Sequence, residues 1–302
     1  WTQGLSEEGG AFIVNDGKLF VTDTQVTGWR EKDNGPATFR SPKEFRPFLL
    51  AWGGTETYIS NTKMASFGYA NSKSYGVSIS QYTPNMAKVL KRPEPTGWII
   101  DSEFSDMWYG FYCYETTGFV IKGNTYKDNI VYGIDPHDRS HGLIIADNTV
   151  YGTKKKHGII ISREVNDSFI FNNRSYDNKL SGLVLDRNSV NNFVADNEFY
   201  RNHTDGITLY ESGDNLIWGN KLINNRRHGI RVVDVLPLFV NTAMVSNEVS
   251  RMKTVAKLGV RLSPEDVAAA VWQLATAPAH RLPTHSLVGW QTKLLALLSK
   301  VS

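Results

Sequence analysis

Short apolar segments alternate with polar turns along the middle of the chain at a nearly constant interval. A glycine followed by a large apolar residue recurs every 23 to 25 residues, at Gly110, Gly133, Gly158, Gly182, Gly206 and Gly229. An asparagine that closes a short apolar run keeps the same interval, at Asn124, Asn148, Asn173, Asn197 and Asn220. The segments are rich in β-branched and aromatic residues, and Asn, Asp and Gly separate them, which indicates strands and turns rather than helices.

A repeat of about 24 residues accommodates three short strands and three turns. The pattern therefore predicts an all-β fold, a right-handed parallel β-helix, most clearly over residues 103–232 and extending over residues 1–232 as one domain. Successive coils should stack about 4.8 Å apart, as neighbouring strands do. A leucine-rich repeat has a similar period but needs a leucine scaffold that these segments lack. We expect the asparagines to form an internal hydrogen-bonded ladder from coil to coil.

One face of the predicted β-helix carries an unusual set of side chains. Because side chains alternate along a strand, residues one and three after each repeat glycine should face inward, and residues two and four should face outward. Cys113, the single cysteine, falls on an inward position and should be an inert buried thiol. Asp135 and His137 fall on outward positions of one coil, and Asp138 follows at the corner.

The coil YGIDPHD, residues 132–138, departs most from the repeat because it places Pro136 on an inward strand position, where proline is disfavoured. Such local departures are expected at functional sites. Arg163 lies one coil later at the corner, so its long side chain should reach the group that His137 contacts. We therefore predict a functional site at His137 and Arg163.

These residues suit proton abstraction from a uronic acid unit. The hydrogen on C5 is alpha to a carboxylate, whose negative charge opposes its removal. An arginine neutralises that charge, and a histidine with a pKa near neutrality accepts the proton. Reprotonation from the opposite face gives the epimer, whereas loss of the C4 substituent gives a lyase product. A non-catalytic glycan-binding β-helix is the third alternative.

Residues 1 to about 230 resemble the periplasmic mannuronan (alginate) C-5 epimerases. The resemblance rests on residues 132–165, YGIDPHDRSHGLIIADNTVYGTKKKHGIIISREV, and on the DPHD motif at residues 135–138. It implies a parallel β-helix in which His137 is the catalytic base, Arg163 neutralises the carboxylate, and water donates the proton on the other face. The same motif makes Asp135 and Asp138 substrate-contacting residues.

The resemblance also implies polymannuronate as substrate, the periplasm as location, partners in alginate export, and no requirement for calcium or another cofactor. We predict no metal site, because hard cations need more converging oxygens than this face offers. From the outward columns we add these residues as candidates for the substrate groove: Tyr132, Arg187, Tyr210, Glu211 and Arg231.

Bulk properties narrow the class of protein further. The net charge of +3 is too small to indicate nucleic-acid binding but is compatible with a polyanion bound along one groove. No apolar run reaches the roughly 18 residues needed to span a membrane. The first residues, WTQGLSEEGG, contain no secretory signal, and we interpret the chain as beginning inside a larger protein.

The last 70 or so residues do not continue the repeat. We predict a mostly helical tail over residues 233–302, with a capped helix beginning at Ser263 and a second helix over residues 287–298. Residues from about 229 onward resemble the C-terminal part of a short-chain dehydrogenase, but no glycine-rich dinucleotide-binding loop precedes them. We expect the tail to cover the open end of the β-helix, whose last strand would otherwise be unpaired.

Overall fold

The computed structural model describes residues 10–233, with side chains to residue 232. Outside that range it describes the strands Thr2–Gln3, Val235–Pro237 and Ser286–Val288 and the single helical residue Ala269. The chain divides into two compact units, Trp1–Arg231 and Val232–Ser302. Apart from Ala269, the helix predicted from Ser263 lies outside the described residues.

The first unit is the predicted right-handed parallel β-helix, built from three sheets that run the length of the stack. Sheet A carries the outward strip singled out above, and its first two strands pair antiparallel while the others pair parallel. In order, sheet A contains Thr2–Gln3, Gly10–Asn15, Phe48–Trp52, Gly76–Ser80, Tyr109–Tyr114, Tyr132–His137, Ile159–Ser162, Leu183–Asp186, Ile207–Tyr210 and Ile230–Val233.

Two further parallel sheets close each coil. Sheet B contains Lys18–Thr22, Glu56–Ser60, Thr96–Ile100, Val120–Lys122, Ile144–Ala146, Phe169–Phe171, Phe193–Ala195 and Leu216–Trp218. Sheet C contains Gln25–Thr27, Lys63–Ala65, Glu103–Ser105, Thr125–Lys127, Thr149–Tyr151, Arg174–Tyr176, Glu198–Tyr200 and Lys221–Ile223. The regular coils therefore begin well before residue 103, where the sequence markers first become clear.

Smaller elements interrupt the turns. The strands Trp29–Arg30 and Gly35–Pro36 form an antiparallel pair around the 3-10 helix Glu31–Asp33. The α-helix Pro84–Leu90 starts with a proline, whose fixed φ suits the first helical position. In the second unit, Val235–Pro237 pairs parallel with Ser286–Val288. A second tail helix therefore does not begin at residue 287 as predicted, and the rest of that segment lies outside the described residues.

The inward positions predicted from the repeat are buried in sheet A. Phe111, Ile134 and Ile159 are fully buried in the interior, and so are Cys113 and Ile161 two residues later in their strands. Burial raises the pKa of the Cys113 thiol to about 11, so the thiol stays protonated at neutral pH, as predicted.

The asparagine ladder is present where the second repeat marker predicts it. The side-chain amide of Asn148 donates to the Oδ1 of Asn173 at 2.9 Å, and Asn173 donates to Asn197 at 2.9 Å. The left-handed residue of each turn is the one before the ladder asparagine, such as Asp147 or Asn172, rather than the asparagine itself. The ladder satisfies polar groups inside the coil and thereby fixes the stacking of neighbouring coils.

Removing one ladder member should destabilise the fold measurably. Asn173→Ala leaves the amide N–H of Asn148 and the carbonyl of Ile145 without their side-chain partner. A buried polar group left unpaired costs about 1–3 kcal/mol. We expect urea denaturation to show a loss of that size in the free energy of unfolding. The exposed neighbour Arg174 is the control, and equal losses for Arg174→Ala and Asn173→Ala would contradict the ladder's role.

Candidate active site

The strand Tyr132–His137 is held in register on both sides of the unusual proline. It pairs with the preceding coil at Tyr112↔Asp135 and Tyr114↔His137, and with the next coil at Ile134↔Ile159 and His137↔Ser162. Pro136 itself faces the interior and is buried. Proline has no backbone N–H, so Pro136 donates no backbone hydrogen bond to a neighbouring strand. The result is that His137 faces outward, as predicted.

Asp138 joins the two predicted catalytic side chains. Its Oδ2 lies 2.5 Å from the Nδ1 of His137, and its Oδ1 lies 3.8 Å from the Nη1 of Arg163. The imidazole and the guanidinium therefore lie on the same side of the β-helix and close enough to share a ligand. Asp138 and Arg163 both adopt left-handed backbone angles, with φ of 35° and 63°, which is where the chain turns out of sheet A.

The contact with Asp138 fixes the tautomer that His137 uses. A carboxylate only accepts hydrogen bonds, so Nδ1 carries the proton and Nε2 keeps its lone pair. Burial lowers the pKa of His137 below its ordinary value, Asp138 opposes this shift, and Arg163 and Lys73 add to it. His137 is consequently neutral near pH 7 and suited to accept a proton.

Asp135 precedes His137 by two residues on the same strand and is 2% exposed. Its Oδ1 is buried and makes no hydrogen bond within the described part of the chain. Burial raises the pKa of the Asp135 carboxyl well above its usual range, and the nearby Asp138 carboxylate adds to this shift. A carboxyl group kept neutral in this way donates a hydrogen bond instead of carrying a charge.

A cleft of about 370 Å³ lies along sheet A toward the last coils, and none of His137, Asp138 and Arg163 is among the residues that line it. The candidates Tyr132, Tyr210 and Arg231 line it, together with Asp186 and His157. Asp186 and Tyr210 follow His137 and Ser162 in register, so the cleft lies along the same outward strip as His137. The two steps from Ser162 to Tyr210 correspond to about 10 Å of stacked strands.

Two of the predicted groove residues lie elsewhere. Arg187 is at the corner, where its Nε lies 3.5 Å from the Oδ2 of Asp186. Glu211 is an exposed corner residue one coil later, and neither of them lines the cleft. The structure thus brings His137, Asp138, Asp135 and Arg163 together and leaves Arg187 and Glu211 at the margin.

Sequence reasoning missed Lys73, which lies beside the cluster. The Nζ of Lys73 lies 3.5 Å from the centre of the Tyr114 ring and 5.4 Å from that of Tyr112. The Tyr112 ring in turn lies 5.8 Å from the His137 ring, centre to centre. Lys73 belongs to an irregular segment before the strand Gly76–Ser80, so the repeat contains no signal that would place it here.

Within residues 10–232, no group of three or more His, Cys, Asp or Glu side chains is arranged to hold a metal ion. Across the described part of the chain, no helix has the length and apolar character required to cross a membrane.

The repeat architecture matches a known family. The family model described as "Periplasmic copper-binding protein (NosD)" matches residues 54–235, and a second match covers residues 182–250. The first match alone covers more than half of the chain, so the chain belongs to this family. The description refers to the family.

Individual relatives with a more specific description are similar over most of the chain. The chain is 88% identical over 244 residues to the mannuronan C5-epimerase of Pseudomonas fluorescens, a match covering 80% of this chain and 46% of that protein. It is 75% identical over 228 residues to the mannuronan C5-epimerase of Pseudomonas aeruginosa, covering 76% and 42%. The family resemblance seen in the sequence is confirmed, although the chain spans about half the length of the curated relatives it matches.

Solved structures agree with the fold. The crystal structure of the periplasmic alginate epimerase AlgG superposes with a TM-score of 0.69 at 65% identity, covering 78% of this chain and 60% of that one. The adhesin PfbA of Streptococcus pneumoniae has a TM-score of 0.50 at 16% identity, which shows a shared fold alone. The resemblance of the tail to a short-chain dehydrogenase stays a prediction.

Proposed function

We propose that this chain is a polymer-level C-5 epimerase that converts mannuronate to guluronate residues in alginate. The observation that carries the proposal is the arrangement of His137 and Arg163 on either side of Asp138. Its relatives are named mannuronan C5-epimerases, which supports epimerisation over the lyase reaction and over non-catalytic glycan binding.

His137 is the base in this proposal. Its Nδ1 is held by Asp138, so the Nε2 lone pair is directed away from that contact and accepts the C5 hydrogen. The electron pair left behind spreads into the C6 carboxylate and gives an enediolate. The C5–H bond is re-formed on the opposite face, which inverts the carbon.

Arg163 and Asp135 stabilise the charge that develops on the carboxylate. The guanidinium of Arg163 is half exposed, at 50%, and is therefore free to pair with a substrate carboxylate beyond Asp138. Asp135 in its neutral form offers a hydrogen bond to the same group, which is most valuable when the enediolate carries two negative charges. The unpaired Oδ1 of Asp135 is consistent with a partner supplied by substrate.

The cleft beyond His137 supports a polymeric substrate. It extends over Tyr132, Tyr210 and Arg231, so further sugar units would lie along sheet A while one unit reacts. We further propose a periplasmic location, which the similarity to the periplasmic alginate epimerase AlgG supports. Partners in alginate export are proposed from the sequence resemblance alone. Nothing in the arrangement of the described residues requires a cofactor for proton transfer.

The direct test is incubation of the full chain with polymannuronate. Proton NMR should show guluronate signals, without new absorbance from unsaturated uronate. New absorbance would instead identify a lyase. If the unsubstituted chain and His137→Ala both bound the polymer and neither formed guluronate or unsaturated uronate, the result would support a non-catalytic role and contradict the proposal.

Replacing Asp135 tests whether its neutral form matters. Asp135→Asn keeps a hydrogen-bond donor of similar size, whereas Asp135→Ala removes the group. We expect Asp135→Asn to keep a substantial part of the activity, and Asp135→Ala to lose about 10²-fold or more in kcat, the range for one donor to an oxyanion. The measurement is guluronate formation at saturating polymer. Greater loss with Asn than with Ala would show that Asp135 acts as a carboxylate.

A further inference from the structure

Lys73 is held over the reaction site by a structured turn. The backbone N–H of Ser74 donates to the carbonyl of Asn71 at 3.0 Å, and the N–H of Tyr69 donates to the carbonyl of Ser74 at 2.9 Å. Tyr75, two residues later, stacks on Tyr109 with ring centres 4.6 Å apart. These contacts anchor the segment to the outward side of sheet A, so the Lys73 ammonium reaches the site from outside the coil.

The ammonium of Lys73 makes no hydrogen bond or ion pair within residues 10–232; its contacts are the ring faces of Tyr112 and Tyr114. Burial lowers the pKa of Lys73 to about 8, and the carboxylates of Asp138 and Glu115 limit the shift. An amine in this state is charged at neutral pH yet gives up its proton more readily than an exposed lysine.

The neutral Asp135 carboxyl faces outward from the same strand as His137 and so would meet a bound sugar from the same side. The remaining groups around His137 are poorer proton donors than Lys73. Burial raises the pKa of the Tyr112 and Tyr114 hydroxyls, so both hold their protons more tightly than an ordinary tyrosine. The guanidinium groups of Arg139 and Arg163 do not release protons in proteins. Lys73, which lies outside the β-helix repeat, is thus the nearby group that is suited to donate a proton to carbon.

We propose that Lys73, in place of the water that the family resemblance implies, donates the proton that reaches C5 from the face opposite His137. The proposal rests on the epimerase function above and assigns its second half-reaction. The C5–H bond breaks toward the Nε2 of His137, the electron pair enters the carboxylate, and an N–H bond of Lys73 then breaks as the new C5–H bond forms. Solvent removes a proton from the imidazolium and returns one to the amine, so the cycle needs no other reagent.

Removal of the proposed donor should lower the rate of inversion at C5 much more than the rate at which the C5 hydrogen exchanges with solvent. In D2O, Lys73→Gln still allows His137 to remove the C5 hydrogen and, after solvent exchange, to return deuterium to the same face. We expect guluronate formation to fall roughly tenfold or more, the lower end for a lost general acid, while deuterium in the remaining mannuronate stays within about threefold of the wild type. Lys73→Arg keeps the charge and should behave in the same way.

The matched control is Lys155→Gln, which removes a lysine that also lies over aromatic rings, those of Phe39 and Trp108, outside the cluster. It should change neither readout. Equal losses of exchange and inversion in Lys73→Gln would overturn the proposal in favour of a structural role, and unchanged inversion would assign the donor to water. A wild type that produces neither exchange nor guluronate would instead overturn the epimerase function itself.

The pH profile gives a second readout. Donation requires the charged form of Lys73, so the inversion rate of the wild type should fall as pH rises through about 8. The charged and titratable groups that face the amine are Asp138, Glu115, His137, Cys113, Tyr112 and Tyr114. The pKa values of the Tyr112, Tyr114 and Cys113 side chains are raised and that of His137 is lowered, so none of these four groups changes its form near pH 8. A fall that persists in Lys73→Gln would contradict the assignment.

Discussion

His137→Ala is expected to lower the rate of guluronate formation by roughly 10²–10⁴-fold, the range associated with loss of a general base. The decrease in wild-type activity at low pH should reflect protonation of the His137 imidazole. Because burial holds the pKa of His137 below its ordinary value of 6.5, the neutral base is present, and activity persists, at pH values under 6.5. NMR of polymannuronate after incubation at several pH values measures both effects.

His203→Ala is the control, because His203 is an exposed histidine in the turn between the strands Glu198–Tyr200 and Ile207–Tyr210 and does not line the cleft. It should retain activity within about twofold, as surface substitutions usually do. Polymer binding should survive in His137→Ala, since the cleft residues are unchanged. If His137→Ala kept its activity, the base would have to be another residue and the proposed mechanism would fail.

Arg163→Ala should lower kcat/KM by about 10²–10³-fold, the cost of losing one preorganised charge partner of the enediolate. Arg163→Lys should recover little of this, since a lysine cannot reproduce the paired contact of a guanidinium with a carboxylate. On methyl-esterified polymannuronate the substrate charge is absent, and we expect the difference between wild type and Arg163→Ala to shrink.

Arg187→Ala provides the comparison, because Arg187 occupies the same corner position one coil later and lies 3.5 Å from Asp186. It should raise KM modestly and leave kcat nearly unchanged, since it is remote from C5. A kcat loss as large as that of Arg163→Ala would show that the two arginines share the role. An Arg163→Ala variant with wild-type kcat/KM would remove Arg163 from the mechanism.

Much of the fold could be predicted because a solenoid repeats its physical requirements. Each coil needs inward apolar residues such as Ile134 and Ile159 and a ladder asparagine such as Asn148, so the sequence displays the period directly. The coils before residue 103 were harder to locate because insertions separate their strands. The tail follows no period, and the strand Ser286–Val288 depends on a partner distant in sequence, Val235–Pro237.

The site could be predicted in part for the same reason. His137 and Arg163 lie on adjacent coils, so the alternation of side chains and the stacking of coils predict that they lie close together. The structure places both beside Asp138. Lys73 enters from outside the repeat, and no local pattern records which coil its segment will cover. The burial of Asp135 was also missed, because alternation places it outward and does not reveal that neighbouring side chains exclude water from it.

The strand that carries His137 lies in the middle of sheet A, with several strands on each side. In a linear stack each coil is stabilised by its two neighbours, so local opening starts at the ends and moves inward. Amide hydrogens of the central coils should therefore exchange most slowly with solvent. Partial fraying of the outermost coils would shorten the polymer-binding surface before it disturbed the reacting groups, so heating should impair long substrates first.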